Sequence, residues 1–338
     1  MLQLDNRTSY AAERAMLADL DGGDLWVVAV KATFDVRDGV CHLADKQEPV
    51  HLADVHAGEP GQSSILYEAE LAFGKLGTDV TLNGHAYAPS GDPTRQVDAS
   101  LTVGPVSKTV RVTGDRYWDS FVGIIEPSRP ERFERMPLAY ERAFGGQDLS
   151  DPKRPDAEPR NPIGRGFART AETIQGTHLP NIEDPRDLVR SWKDRPAPAG
   201  FGVVARHWLP RRDYGGTYDA AWQRERLPLY PNDLDPRFFQ SAPADLVATP
   251  HLRGGETVEC VNLTPDGYLV FVLPKVYLGF RTRIGREWVH HSATLGHVIV
   301  EPDVPRVMMV WQTALPCHRQ TLHLETTRIT EKSLMWWN

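Results

Sequence analysis

The chain reads as mainly β: antiparallel β-sandwich-like sheets with little helix and a long irregular layer between two β-rich ends. Three observations predict this. Short runs of β-branched and aromatic residues recur through the first 125 residues and again after residue 250, some alternating polar and apolar with period two. Turn-forming Gly, Pro and Asp clusters separate these runs. Between the two ends, a stretch dense in Gly, Pro, Arg and Trp carries large aromatics throughout: Phe144, Phe167, Trp192, Phe201, Trp208, Tyr218, Trp222, Phe238 and Phe239. A disordered linker has no core to bury such side chains, so this stretch is expected to be ordered.

Taken in order, residues 13–19 suit a short helix, and residues 25–34 form a β-branched, aromatic strand. Asp38-Gly39 turns the chain into a second strand at 40–43. Further strands are expected at 79–87, 95–103 and 108–113, with Ser90-Gly-Asp-Pro93 and Gly104-Pro105 as turns. Residues 256–263 and 268–273 flank Thr264-Pro-Asp-Gly267, a hairpin signal. Strands at 276–283, 298–301 and 307–311 follow, the last two reversed by Pro302-Asp-Val-Pro305. This gives an N-terminal β-rich part (1–125), an irregular segment (126–250) packing on both ends, and a C-terminal β-rich part (251–338), compatible with one unit. The tail from 312 to 338 is expected to fold back as one further strand, or to meet a partner through Met335-Trp-Trp337.

At 338 residues, with 41% hydrophobic and 25% charged side chains, the composition is that of an ordinary globular chain. A net charge of -7 argues against a general nucleic-acid binder, which needs a basic surface. Arginines nevertheless crowd the middle, among them Arg129, Arg132, Arg135, Arg142, Arg154, Arg160, Arg165 and Arg169. They suit either a local basic face for an acidic partner or ion pairing and stacking within the layer. Neither a signal peptide nor a membrane-length apolar run is visible, so a cytoplasmic protein is expected.

Chemistry finds little to stand on. Cys41, Cys260 and Cys317 form neither a disulfide framework nor a thiolate metal motif, and the histidines lack the close paired spacing that converges on one ion. No metal or cofactor is expected, and no GxGxxG or P-loop follows a strand. Ser63, Ser64 and Ser292 lack a nucleophile elbow, and Cys317 and His318 are neighbours rather than a spaced dyad. Glu141, Glu183, Asp184, Asp219, Asp233 and Asp235 lie among aromatics, as the carboxylates of a sugar hydrolase would, but they equally suit turn capping and arginine pairing. Gly145, Gly146, Gly164, Gly166, Gly200, Gly202, Gly215 and Gly216 read as positions of positive φ or close approach.

The middle segments carry a resemblance. Tyr140-Glu-Arg-Ala-Phe-Gly-Gly146, Asn161-Pro-Ile-Gly-Arg-Gly-Phe167, Leu179-Pro-Asn-Ile-Glu183, Pro198-Ala-Gly-Phe-Gly202, Trp208-Leu-Pro-Arg-Arg212, and Gly216-Thr-Tyr-Asp219 with Trp222, in that order, resemble the DUF2169 family. Segments before and after, such as Gly114-Asp-Arg-Tyr-Trp118 and Asn262-Leu-Thr-Pro-Asp-Gly267, extend the likeness over nearly the whole chain. The resemblance implies an effector chaperone or adaptor of bacterial type VI secretion. Such a protein binds a toxin effector, often through a PAAR-bearing amino-terminal region, and helps deliver it to the VgrG spike. It implies no catalytic residue and no enzyme activity.

Aromatic and arginine anchors dominate protein interfaces, which makes Arg142, Arg165, Phe167, Trp208, Arg211 and Tyr218 the first candidates for partner contact. The same residues equally suit holding the irregular layer together. Two other functions compete with the adaptor: a carbohydrate-active β-sandwich enzyme or glycan-binding module using the acidic and aromatic middle layer, and a structural subunit of a phage-like particle.

Overall fold

The computed structural model describes residues 3–121, 124–318 and 320–332. The fold is mostly β, in several antiparallel sheets. Its longest early strand is Asp24–Arg37, 14 residues with an almost wholly buried middle. Its Val, Ala, Thr and Phe side chains suit a pleated strand covered on both faces. Ala11–Ala18 and Arg306–Pro316 flank it, both antiparallel. The seven-stranded sheet continues through Thr294–Glu301 to Thr78–Leu82, which runs parallel to it, and ends at Val247–Ala248. Val40–Leu43 folds back on Asp24–Arg37 after the expected turn. Strands from both ends of the chain thus share one sheet, and the division at 125 and 250 follows the chain rather than the sheets.

Residues 13–18 lie in a strand, and 13–19 do not form the short helix expected. Their Glu, Arg, Ala and Met favour helix locally, but the whole of Ala11–Ala18 pairs in unbroken register with residues 24–31, and that tertiary pairing overrides a weak propensity. The α-helices among the described residues are short: Ala171–Ile174, Arg211–Tyr214 and Ala220–Glu225.

A five-stranded sheet runs Ile182–Glu183, Val106–Thr113, Gln96–Val103, Thr257–Val261, Tyr268–Val272. Period-two alternation holds here: Val97, Ala99, Leu101 and Val103 are buried, while Gln96 and Asp98 face solvent. The expected hairpin closes with Asn262 N donating to Gly267 O at 2.7 Å. A four-stranded sheet runs Gln3–Asn6, Leu324–Glu331, Leu278–Ile284, Glu287–His291. The tail therefore does fold back as a strand, Leu324–Glu331, whereas Met335-Trp-Trp337 lies outside the described residues.

The two faces of the seven-stranded sheet differ. Trp26, Val28, Val30, Ala32 and Phe34 point into a hydrophobic core shared with Val307, Met309, Val298 and the inner side of the five-stranded sheet. Burying each Val or Phe contributes about 1.5–3 kcal/mol. Trp26 Nε1 also donates to Thr327 Oγ1 at 2.7 Å, tying this sheet to the four-stranded one. The opposite face is equally dry but carries polar groups among its apolar ones, with Lys31, Thr33, Asp79, Thr81 and His297 all buried beside Val27, Ile299 and Met308. Lys31 Nζ lies 2.8 Å from Glu70 Oε1, and Lys75 Nζ lies 2.5 Å from Asp79 Oδ2. Asp79 in turn accepts from Ser241 N at 2.9 Å and Gln240 Nε2 at 2.9 Å. Charge pairing, and at Asp79 several hydrogen bonds besides, is what makes such burial tolerable. Through them the irregular layer is fixed to the sheet at residues 240–242.

Candidate functional site

The middle motifs knit to one another. Arg165 N donates to Ala143 O and Phe167 N to Gly145 O, both at 3.0 Å, so Phe144–Gly145 and Arg165–Gly166 run as a short parallel pair. Gly146 N donates to Asn161 O at 2.8 Å, and Asn181 N to Arg142 O at 2.8 Å. Asn161 is fully buried and donates its amide to Tyr140 O and Phe144 O. At Gly145, φ is +150°, and a Cβ would stand 2.1 Å from Asn161 O. Only glycine fits there.

This knitting decides where the predicted contact residues lie. Arg142 Nη1 and Arg165 Nη1 converge on Asn181 Oδ1 at 3.1 and 3.2 Å, with Asp115 beside them. Both arginines are half-buried, and they cross-link the motifs. Phe167 packs against the small cluster of Trp118, Phe144, Ile174 and Leu179, with the Arg195 guanidinium over its ring. Trp208 is 3% exposed, edge-on to Tyr140 at 5.3 Å. Arg211 is also 3% exposed, donating to Val204 O at 2.7 Å, to Phe238 O at 2.9 Å and to the Glu68 carboxylate. Trp208 and Arg211 therefore hold the interior and do not form an open contact surface. A guanidinium at that depth needs every donor met by protein. Tyr218, 53% exposed beside Trp222, is the member of the set that faces solvent freely.

The carboxylates weighed for catalysis are committed locally. Glu183 meets Arg116 at 2.6 Å and Val189 N at 2.8 Å, and Glu141 accepts from Ser64 N and its hydroxyl. Asp219 caps Trp222 N, Asp233 holds Thr217, Asp184 pairs with Arg186, and Asp235 pairs with Arg237. Burial pushes the thiols of Cys41 and Cys260 up to about 11 and about 12, keeping them protonated and poor as nucleophiles. Among the described residues no three His, Cys, Asp or Glu side chains come together as a metal would require.

What the layer does build is a cleft of about 620 Å³. Its walls are apolar, from Leu76, Pro198, Val204, Leu209, Pro243 and Val247, with the rings of Tyr140 and Tyr214. Lys108, Arg160 and Arg237 bring positive charge to it, and the Arg237 guanidinium sits 4.2 Å from the Tyr214 ring centroid. Asp245, 2.9 Å from Lys108, is the acidic residue on the lining, whereas Glu158 and Asp235, which pair with the two arginines, are not part of it. Apolar walls with a few convergent polar groups are the usual makings of a binding site. Sequence reasoning missed Lys108, Tyr140, Tyr214 and Arg237 as a group. The available signal was the density of arginine and aromatic residues in the middle, which does not say which of them meet.

The family model described as an uncharacterized protein conserved in bacteria (DUF2169) matches residues 21–312. The chain belongs to the DUF2169 family. No curated protein and no solved structure matches it. In this DUF2169 chain the matched span holds the cleft, the knitted motifs and both strands of the parallel pairing of Thr78–Leu82 with Thr294–Glu301. The strand Leu324–Glu331 lies beyond it. No helix among the described residues is long and apolar enough to cross a membrane.

Proposed function

We propose that this DUF2169 protein is a cytoplasmic, non-catalytic adaptor for type VI secretion. It binds a toxin effector through a PAAR-bearing or hydrophobic amino-terminal region and helps load it on the VgrG spike. The observation that carries this reading is the cleft, an apolar trough with cationic groups, built on a layer whose own residues are locked together. Rigid support of that kind lowers the ordering cost of binding a peptide segment. The local commitment of the acidic side chains in the layer favours holding a partner over turning over a substrate. Binding alone would protect an aggregation-prone effector by mass action.

Deleting the gene in its native cell tests this. The effector should fall in the cytoplasm and return on complementation, with its transcript unchanged. An effector that stays abundant, soluble and secreted without this protein overturns the reading.

A further inference from the structure

A second cleft, of about 640 Å³, opens where the three large sheets meet. Leu295 and Trp311 stand opposite each other on neighbouring strands of the seven-stranded sheet. Leu252 and Val276 come from the segments that lead into and out of the edge hairpin of the five-stranded sheet. Leu278 and Lys332 bring the four-stranded sheet to the same place. The side chains of Leu252, Val276, Leu295 and Trp311 are buried and make an apolar floor. That floor is pinned. Leu252 N donates to Thr78 Oγ1 at 2.9 Å, Thr78 Oγ1 donates to Leu295 O at 2.5 Å, and His251 Nδ1 donates to the same carbonyl at 3.2 Å.

The rim is wet and cationic. Arg253, Tyr277 and Lys332 are exposed there, and Lys332 N donates to Tyr277 O at 2.7 Å. Among the described residues, neither the Arg253 guanidinium nor the Lys332 ammonium meets a carboxylate. The acids nearest in sequence are used otherwise: Glu256 accepts from the backbone N–H of Arg253 at 2.8 Å, and Glu331 from the Tyr10 hydroxyl. No Asp or Glu lines the cleft. On a chain of net charge -7, this is positive charge left for an anion to answer.

We infer that this second cleft docks an acidic, apolar segment of a partner protein. The segment's apolar side chain lies against Leu252, Val276, Leu295 and Trp311, and its carboxylates face Arg253 and Lys332 at the rim. A dry apolar centre ringed by exposed polar groups, with Trp, Tyr and Arg among them, is the anatomy of a protein interface. The two cations stand on separate segments of the chain, so they call for more than one acidic residue around the apolar one. Charge chooses this occupant: a neutral segment leaves both cations unanswered, and a basic one meets like charge. The inference adds a docking site to the adaptor reading and does not rest on it.

The test is fluorescence anisotropy on the full chain, with a labelled peptide of alternating leucine and glutamate around one phenylalanine, beside the same peptide with glutamine for glutamate. At low salt the acidic peptide should bind about tenfold more tightly, the size expected of two solvent-facing ion pairs, and the preference should shrink in about 0.5 M salt. Arg253→Gln with Lys332→Gln should abolish it and leave the melting temperature unchanged, because neither side chain has an ionic partner to lose. Arg253→Glu with Lys332→Glu should turn the preference toward a peptide with lysine for glutamate. Equal affinity for the first two peptides, no binding of either, or a preference that survives Arg253→Gln with Lys332→Gln overturns the inference. So does acidic binding that appears only after Trp336→Ala with Trp337→Ala, which gives the cleft to the chain's own end. Gene deletion tests the adaptor reading separately, whatever these peptides do.

Discussion

The ammonium of Lys31 sits 2.8 Å from the carboxylate of Glu70, and neither side chain reaches solvent. Lys31 comes from the long strand Asp24–Arg37, whereas Glu70 belongs to the segment that covers the sheet's second face. Removing one partner strands the other charge. Lys31→Met should cost about 3–5 kcal/mol in urea denaturation. Adding Glu70→Gln, which can still accept from His51 N, should recover much of that loss.

Asn181 is the joint of the middle motifs. Its amide donates to Thr113 O and Asp115 Oδ1, both at 2.9 Å, while its carbonyl collects Arg142 and Arg165. Asn181→Ala leaves a buried carbonyl and two arginines short of partners. A loss of about 2–3 kcal/mol is expected, read by the denaturation midpoint at unchanged slope.

Gly145→Ala should be worse than an ordinary surface change. The new Cβ would stand 2.1 Å from Asn161 O at a φ of +150°, and both neighbours are held by hydrogen bonds. A loss on the order of 3 kcal/mol or more is expected in thermal melts, against little change for Gly58→Ala, where φ is not positive and the added Cβ would meet nothing closer than Ser63 Cβ at 3.4 Å.

Acid should destabilise the protein in two stages. Burial holds His51 and His291 at about 4 and His297 at about 3, below the ordinary 6.5. The unfolded chain then binds more protons than the folded one below pH 6.5, so stability falls as pH drops from there toward 4. His297→Gln should flatten that slope by about one proton. At Asp79, burial would raise the carboxyl, but the Lys75 ammonium, His297 and the Ser241 N–H outweigh it and hold the carboxyl at about 2. Its contribution is present above pH 3.8 and is lost as pH falls through 2, a second stage that Asp79→Asn should remove. Urea midpoints across pH 2–8 read both.

Much of the fold was legible because strand signals are local. The alternation in Gln96–Val103 and the turn at 264–267 needed no distant partner to be read. What sequence could not show were the partnerships. Lys31 looks like an interruption in an apolar strand until Glu70 is opposite it, and residues 13–19 look helical until the neighbouring strand claims them. The candidate site suffered most. Trp208 and Arg211 have the chemistry of interface anchors, but the same chemistry serves a dry ion pair with Glu68 and an edge contact with Tyr140. The cleft itself brings Lys108 together with Tyr140, Arg160 and Arg237, a meeting that no local pattern announces.

The most direct measurement is a tagged pull-down from the native cytoplasm with the secretion system expressed, followed by size exclusion and mass spectrometry of the co-eluting chains. The account predicts a stoichiometric complex with a PAAR-bearing toxin, with or without VgrG. A protein that elutes alone under those conditions contradicts it.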